Sequence, residues 1–318
     1  MTALTVTDLA KTFTRGRPLF GAAPPGVRAV RPMSFSVARG ETLGIVGESG
    51  CGKSTLARML VGLLEPSQGH IEIAGKALDK ADPAAFGRLI QYVFQDPLSS
   101  LNPRKTIRQI MEAPLKRLHR MDRPARDARI AEIFASVNLR EDFLSRYPHE
   151  FSGGQAQRIG IARALAASPE IIVLDEPVSA LDVSVQAQVL NLLADLRARF
   201  GLTYLFISHD LAVVEAVSDR VIVLYFGAVV EIGRAEDIFK APKHPYTRLL
   251  AESAPVVGRP LAAPEQKDSE LPDPLNPSPG CAFAGRCLRA TDICRTTEPA
   301  LRPMGEHQLA ACHHPFET

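Results

Sequence analysis

A phosphate-binding loop constrains the fold of this chain more than any other feature of its sequence. Residues 47–55 read GESGCGKST and stand between the apolar run TLGIV and the helical pattern LARMLVGLL. Such a loop works at the turn from a buried strand into a helix, where backbone N–H groups converge on phosphate oxygens. Lys53 then reaches the β- and γ-phosphates, and the Ser54 hydroxyl binds Mg²⁺. The predicted nucleotide contacts are Gly47, Glu48, Ser49, Gly50, Cys51, Gly52, Lys53, Ser54 and Thr55.

The rest of the chain predicts an α/β fold around this loop. Short apolar runs such as LIQYVF, IIVLDE, TYLFIS and RVIVLY alternate with helical patterns such as VQAQVLNLLADLRARF. This alternation is typical of a largely parallel sheet covered by helices. Residues 104–168, approximately, have helical periodicity and few strand candidates, which predicts a helical insertion in the α/β core.

Composition predicts a soluble protein without a nucleic-acid footprint. The chain of 318 residues has 37 Lys+Arg against 35 Asp+Glu, and 46% of its residues are apolar. The N-terminus MTALTVTDLAKTF has no basic start followed by an apolar stretch, and no apolar run approaches the roughly 18 residues of a membrane span. We therefore expect a chain that stays in the cytoplasm, where structural disulfides are rare. Cys51, inside the loop, is expected to be a small packing residue and not a nucleophile.

Two further motifs carry chemistry. The apolar run IIVL ends in Asp175 and Glu176, at the sheet edge where ligands of open α/β folds bind. Asp175 can hold Mg²⁺, and Glu176 can orient or deprotonate the attacking water. The sequence FSGGQ, residues 151–155, precedes a helical pattern and forms a second anion site at a helix N-terminus. A single bound nucleotide does not need two such sites.

With these motifs the chain resembles the ATP-binding subunits of ABC transporters over essentially its whole length. The resemblance implies a RecA-like parallel sheet, an antiparallel β subdomain and the helical insertion. It also implies that two ATP molecules are sandwiched in a head-to-tail dimer, because the signature of one chain serves the γ-phosphate bound to its partner. The implied signature residues are Ser152, Gly153, Gly154 and Gln155.

The resemblance assigns roles to further residues. Gln95 in VFQDP matches the Q-loop, and His209 in FISHD matches the switch histidine that contacts the γ-phosphate; a structural histidine is the alternative for His209. Phe13 in LAKTF occupies the position of the aromatic residue that stacks on adenine, with an ordinary core phenylalanine as the alternative. Mg²⁺ is assigned to Ser54, Gln95 and Asp175. The D-loop is assigned to Ser179, Ala180, Leu181 and Asp182.

Within ABC proteins the chain is most similar to the second ATPase subunit of dipeptide and oligopeptide importers. The segments VFQDPLSSLNPR, RYPHEFSGGQ, DEPVSALDVSVQAQVLNLL and KHPYTRLL carry this resemblance. It implies a related second ATPase subunit, two transmembrane permease subunits and an external substrate-binding protein, at the cytoplasmic side of the inner membrane. A homodimer in isolation, and importers of nickel, glutathione or oligosaccharides, are alternatives. A soluble ABC ATPase of DNA repair or translation is less favoured, because the chain has one cassette and no sustained heptads.

The C-terminal part of the chain concentrates proline and cysteine. Ten of the 25 prolines lie in residues 255–318, which predicts a loop-rich module at 254–318 after an ATP-binding domain at 1–253. Four cysteines suit a zinc site or an iron–sulfur cluster, and they lack the closely paired spacing usual for zinc. The resemblance implies a four-iron four-sulfur cluster that staples the module; zinc and unligated or oxidised thiols remain alternatives. The implied ligands are Cys281, Cys287, Cys294 and Cys312.

Overall fold

The computed structural model of the chain describes residues 1–14, 26–77, 82–253, 273–275 and 277–317. The described strands, numbered in chain order, are β1 (Thr2–Phe13), β2 (Val27–Ala38), β3 (Thr42–Val46), β4 (Gln68–Ile73), β5 (Lys76–Ala77), β6 (Ile90–Val93), β7 (Ile171–Asp175), β8 (Thr203–Ser208), β9 (Arg220–Tyr225), β10 (Ala228–Arg234), β11 (Arg302–Pro303) and β12 (Gln308–Ala310). The described α-helices are α1 (Lys53–Leu60), α2 (Pro83–Leu89), α3 (Ile107–Arg117), α4 (Arg123–Ser136), α5 (Gly153–Leu165), α6 (Val183–Phe200), α7 (Leu211–Val217), α8 (Ala235–Lys240), α9 (Pro245–Ser253) and α10 (Asp292–Thr296).

The chain divides into two compact units, each assembled from several segments. Unit 1 consists of Met1–Thr5, Ser36–Thr42 and Glu72–Ile207. Unit 2 consists of Val6–Phe35, Leu43–Ile71 and Ser208–Thr318. The domain boundary predicted after residue 253 falls at the start of 254–272, which lies outside the described residues, so the division into 1–253 and 254–318 stays a prediction.

Unit 1 contains a parallel sheet and the helical segment. Strand β7 pairs in parallel with β6 on one side and with β8 on the other. All five residues of β7 are buried, as expected for an apolar strand that is covered on both faces. Between β6 and β7 the chain forms α3, α4, two short 3₁₀ turns (Glu141–Ser145 and Pro148–Glu150) and α5, with no strand. The stretch predicted to be a helical insertion is therefore helical.

Unit 2 joins the strand that leads into the phosphate-binding loop to the C-terminal strands. Strand β3 pairs in parallel with β9, β10 is antiparallel to β9, and β12 is antiparallel to β10. Within the unit the order is β11-β12-β10-β9-β3. The register places Glu231 opposite Ala310, so residues near the C-terminus are part of this sheet. The sequence does not predict this pairing, because QLA and RP are too short to read as strands.

A buried carboxylate stabilises this attachment. Glu231 accepts hydrogen bonds from the backbone N–H groups of Lys243 and His244 at 2.7 and 2.9 Å, and from Gln308 Nε2 at 2.6 Å. Burial raises the pKa of Glu231, and these donors oppose that shift.

Among the described residues, no helix is both long enough and apolar enough to cross a bilayer.

Candidate functional site

The phosphate-binding loop of unit 2 lies where the sequence predicts it, between the fully buried strand β3 and helix α1. Gly47 and Gly52 have φ values of 156° and 103°. A Cβ at Gly47 would stand 2.2 Å from the carbonyl oxygen of Leu224, and one at Gly52 would stand 2.2 Å from that of Ala29. Both positions therefore require glycine. Gly52 is also the N-cap of α1, where first-turn N–H groups can face an anion.

Lys53 is folded back onto the loop that it belongs to. Its Nζ donates hydrogen bonds to the carbonyl oxygens of Gly47 at 2.6 Å and Glu48 at 3.0 Å, and only 6% of the residue is exposed. The neighbouring Cys51 is buried, and burial raises the pKa of its thiol although Lys53 opposes the shift. A buried neutral thiol agrees with a packing role for Cys51.

Glu48, the second residue of the loop, makes contacts that the sequence does not reveal. Its backbone N–H donates to Tyr246 Oη at 2.9 Å. Its carboxylate accepts from Arg286, with Nη1 to Oε2 at 2.8 Å and Nη2 to Oε1 at 2.9 Å. Arg286 lies 238 residues further along the chain, so no local pattern indicates the contact.

The carboxylates of unit 1 lie at the end of β7 and have specific partners. Asp175 is buried, and Tyr92 Oη donates to its Oδ2 at 2.5 Å. Gln95 Nε2 donates to Glu176 Oε2 at 2.8 Å, so two predicted site residues are brought together. Glu176 has a φ of 46°, which is uncommon for a residue with a side chain and is found at functional sites. Sequence reasoning missed Tyr92; its position near the end of β6, three residues before Gln95, was the available signal.

The signature and the D-loop pack together in unit 1. Ser152 is the N-cap of α5, where its Oγ accepts from the N–H of Gln155 while the Gln155 side chain accepts from the N–H of Ser152. A Cβ at Gly153 would lie 3.4 Å from a methyl of Leu181 in the D-loop, and one at Gly154 would lie 2.5 Å from a methyl of Val185 in α6. The exposed residues here are Ser152, Gly153, Ser179, Ala180 and Asp182. The exposed N-terminus of α5 lies where the sequence predicts an anion site, and that role stays a prediction.

Two predicted nucleotide contacts of unit 2 are exposed. Phe13 ends β1 with 45% of its surface accessible, and Lys11 Nζ lies 5.3 Å from its ring centroid. This exposure excludes the alternative that Phe13 is an ordinary core residue. His209 directly follows β8 and is exposed. Adenine stacking by Phe13 and γ-phosphate contact by His209 stay predictions.

The four C-terminal cysteines line one small cavity in unit 2, together with His244, Phe283, His313 and His314. No disulfide joins any of the five cysteines, all of which lie in the described residues. Burial and the neighbouring thiols raise the pKa of Cys312 to about 11. Among the described residues, no three His, Cys, Asp or Glu side chains are grouped as ligands of a single metal ion. The arrangement therefore supports neither zinc nor an iron–sulfur cluster.

His244 contributes an unpartnered polar atom to this cavity. Its Nδ1 accepts from the backbone N–H of Tyr246 at 3.0 Å, whereas its buried Nε2 has no hydrogen-bond partner among the described residues. Burial lowers the pKa of His244 to about 3, so the ring is neutral and Nε2 carries the proton. His313 and His314 instead contact Thr297 and Thr291 through Nε2.

Three features define the class: a phosphate-binding loop after a buried strand, a carboxylate pair at the end of a second buried strand, and an exposed helix N-terminus in the SGGQ motif. Together they are typical of an ABC-type ATPase. Comparison with known proteins agrees: the family model described as "ABC transporter" matches residues 30–179. The solved dimer of the ATP-binding cassette MJ0796 bound to ADP and Pi covers 73% of this chain at 30% identity, with a TM-score of 0.65 and 98% of its own chain matched.

Closer relatives specify the branch of this class. A second family model, "Oligopeptide/dipeptide transporter, C-terminal region", matches residues 230–294. The oligopeptide transport ATP-binding protein AppF of Bacillus subtilis is 46% identical, over 98% of this chain and 97% of its own. The dipeptide transport ATP-binding protein DppF of Haemophilus influenzae is also 46% identical, over 98% of this chain and 96% of its own. The chain belongs to this family of oligopeptide and dipeptide transport ATP-binding proteins.

Proposed function

We propose that this chain is the ATP-hydrolysing motor subunit of a membrane importer for dipeptides or oligopeptides. The proposal rests on one observation. Over nearly its whole length the chain is 46% identical to ATP-binding proteins named for oligopeptide and dipeptide transport. The match to the C-terminal region of such transporters favours a transport role over a soluble non-transport ABC ATPase. Nickel, glutathione and oligosaccharides are the alternative substrates.

The side chains divide the work of hydrolysis as follows. The N–H groups of Gly47–Thr55 and the Lys53 ammonium bind the phosphates of ATP. Ser54, Gln95 and Asp175 remain the ligands that the sequence predicts for Mg²⁺, which would neutralise charge on the phosphates when bound. Tyr92, donating to Asp175 Oδ2, orients that carboxylate. Glu176 takes the proton of the attacking water, and its contact with Gln95 sets the direction of its carboxylate.

Hydrolysis needs a second ATPase subunit. The exposed α5 N-terminus of this chain binds the γ-phosphate held by its partner, through the residues Ser152, Gly153, Gly154 and Gln155. The natural partner is a related but different ATPase, and the pair acts on two permease subunits that receive substrate from an external binding protein. The chain is accordingly a peripheral protein on the cytoplasmic side of the inner membrane.

Uptake of labelled peptides tests the proposed substrate. Cells that lack the gene should lose ATP-dependent uptake of di- or oligopeptides, and the wild-type chain should restore it. Glu176→Gln should not restore uptake, because the motor cannot complete its cycle without the catalytic carboxylate. If peptide uptake never depends on the gene, while nickel, glutathione or sugar uptake does, the peptide assignment is wrong.

We propose that Cys281, Cys287, Cys294 and Cys312, which line one cavity, hold a four-iron four-sulfur cluster. Four thiolates are the usual ligand set of such a cluster, and no carboxylate lines the cavity. The Nε2–H of His244 can donate to a sulfur atom there, which would satisfy an otherwise orphaned buried group. The bound cluster would supply a covalent cross-link between segments that are short of regular structure.

Anaerobic purification followed by metal analysis tests the cluster. We expect about four iron and four sulfide per chain, with little zinc, and absorption typical of iron–sulfur proteins. Cys287→Ser and Cys294→Ser should each lose most of the iron, whereas Cys51→Ser in the phosphate-binding loop should keep it. A colourless, iron-free and stable wild-type chain would eliminate the cluster.

A further inference from the structure

The loop residue Glu48 is held from two directions by C-terminal residues of unit 2. Tyr246 Oη accepts a hydrogen bond from the backbone N–H of Glu48. The Arg286 guanidinium donates two hydrogen bonds, of 2.8 and 2.9 Å, to the Glu48 carboxylate. Only 12% of the Arg286 side chain and 31% of the Glu48 side chain are exposed. Water and salt therefore screen this ion pair less than they screen an exposed ion pair. The guanidinium donates two parallel hydrogen bonds to the carboxylate, an arrangement stronger than a single charged hydrogen bond.

Arg286 belongs to the cysteine module, defined here as residues 281–312. It lies in a tight turn between Cys281 and Cys287, in which the N–H groups of Arg286 and Cys287 both donate to the carbonyl oxygen of Phe283 at 3.0 Å. The guanidinium also stacks over the rings of Phe283 and Tyr225, at 5.6 and 5.8 Å from their centroids. The position of the Arg286 charge consequently follows the conformation of the turn between these two cysteines.

The charge of Glu48 matters because of where it lies. A carboxylate in a loop that binds a triphosphate repels its ligand, and the repulsion is stronger where the group is partly withdrawn from water. Arginine remains charged at every physiological pH. The bidentate pair therefore cancels the Glu48 charge as long as the module keeps its conformation.

We propose that the cysteine module controls nucleotide affinity through Arg286, which neutralises Glu48 so that the loop can accept a triphosphate. The inference rests on the proposed role of Gly47–Thr55 as the phosphate-binding loop. Disruption of the turn between Cys281 and Cys287 leaves Glu48 uncompensated and weakens ATP binding. The module is thus a regulatory input to the motor in addition to a structural element.

Calorimetric titration of the full-length chain with Mg²⁺–AMP-PNP and with Mg²⁺–ADP tests the proposal. Arg286→Met should weaken AMP-PNP binding about ten-fold, and ADP binding less, because the triphosphate carries more charge. Arg295→Met is the matched control: it removes an exposed arginine that also adjoins a module cysteine, Cys294. Its affinity should stay within about two-fold of wild type.

A second substitution separates charge compensation from simple loss of structure. Adding Glu48→Gln to Arg286→Met removes the uncompensated carboxylate and should restore most of the affinity, which a misfolded variant would not do. Cys287→Ala should weaken AMP-PNP binding in the same way and be rescued by Glu48→Gln.

Three results would overturn the proposal. These are wild-type affinity in Arg286→Met, no rescue by Glu48→Gln, or equal losses in Arg286→Met and Arg295→Met. Lys53→Ala distinguishes failure of this inference from failure of the loop assignment. If Lys53→Ala abolishes binding while Arg286→Met does not, only the coupling is wrong; if Lys53→Ala binds normally, the loop is not the nucleotide site.

Discussion

Glu176→Gln is expected to lower kcat for ATP hydrolysis by about 10²–10⁴-fold while the Kd for ATP changes by no more than about two-fold. An amide cannot take a proton from water, but its oxygen can still accept the hydrogen bond that Gln95 donates to Glu176 at 2.8 Å. The local geometry is therefore retained and only the chemistry is removed. Phosphate release at protein concentrations that populate the dimer, together with equilibrium ATP binding, measures the two quantities separately.

The expected consequence of this substitution is a chain that binds ATP and stays in the closed dimer. Gel filtration with Mg²⁺–ATP should show a stable dimer for Glu176→Gln and a transient one for wild type. Glu141→Gln, at an exposed position of the same unit, is the matched control and should hydrolyse ATP normally. Normal turnover by Glu176→Gln would show that another group is the base.

Lys53→Ala is expected to weaken ATP binding by about a hundred-fold or more. Each hydrogen bond from a charged donor to phosphate contributes about 1.5–3 kcal/mol, and the ammonium can reach two phosphates. Lys53 also joins the carbonyl oxygens of Gly47 and Glu48, so its loss loosens the loop itself. Equilibrium titration with ATP measures the effect, and a thermal melt confirms that the variant is folded.

Lys240→Ala supplies the comparison for Lys53→Ala. Lys240 is an exposed lysine of α8 in the same unit, paired with Glu236 at 2.6 Å, and its loss should leave ATP affinity unchanged. Should Lys53→Ala bind ATP as tightly as Lys240→Ala does, the loop would not be the principal phosphate contact.

The nucleotide motifs could be predicted from the sequence because each is a local structure. Gly47, Gly50 and Gly52 have positive φ values, a local backbone requirement that the sequence shows as glycine. Close approaches to Leu224 in β9 and Ala29 in β2 add a non-local requirement at Gly47 and Gly52. The capping box of Ser152 and Gln155 spans four residues and is visible as the letters SGGQ. The Asp175 and Glu176 pair follows an apolar run whose burial is likewise evident from composition.

Contacts between residues that are far apart in the sequence could not be predicted in the same way. Gln95 and Glu176 are 81 residues apart, and only the parallel pairing of β6 with β7 brings their side chains into contact. Tyr92 meets Asp175 for the same reason. Sequence patterns specify which residue types lie at strand ends, whereas strand order and register specify which ends are neighbours.

The C-terminal part shows the division most clearly. Clustering of four cysteines predicts a common site, and the structure does place them around one cavity. The connection of this C-terminal part to the rest of unit 2 depends on the pairing of β12, on the buried Glu231 and on the contact of Arg286 with Glu48. None of these three has a sequence signature.

By itself, then, the sequence determined the class of site, because phosphate binding and helix capping depend on residues close together in the chain. The tertiary structure decided which distant charges meet: Arg286 with Glu48 in unit 2, and Gln95 with Glu176 in unit 1. The physical reason is that Coulomb and hydrogen-bond energies fall steeply with distance and depend on burial. Separation in space, and not position along the chain, sets those energies.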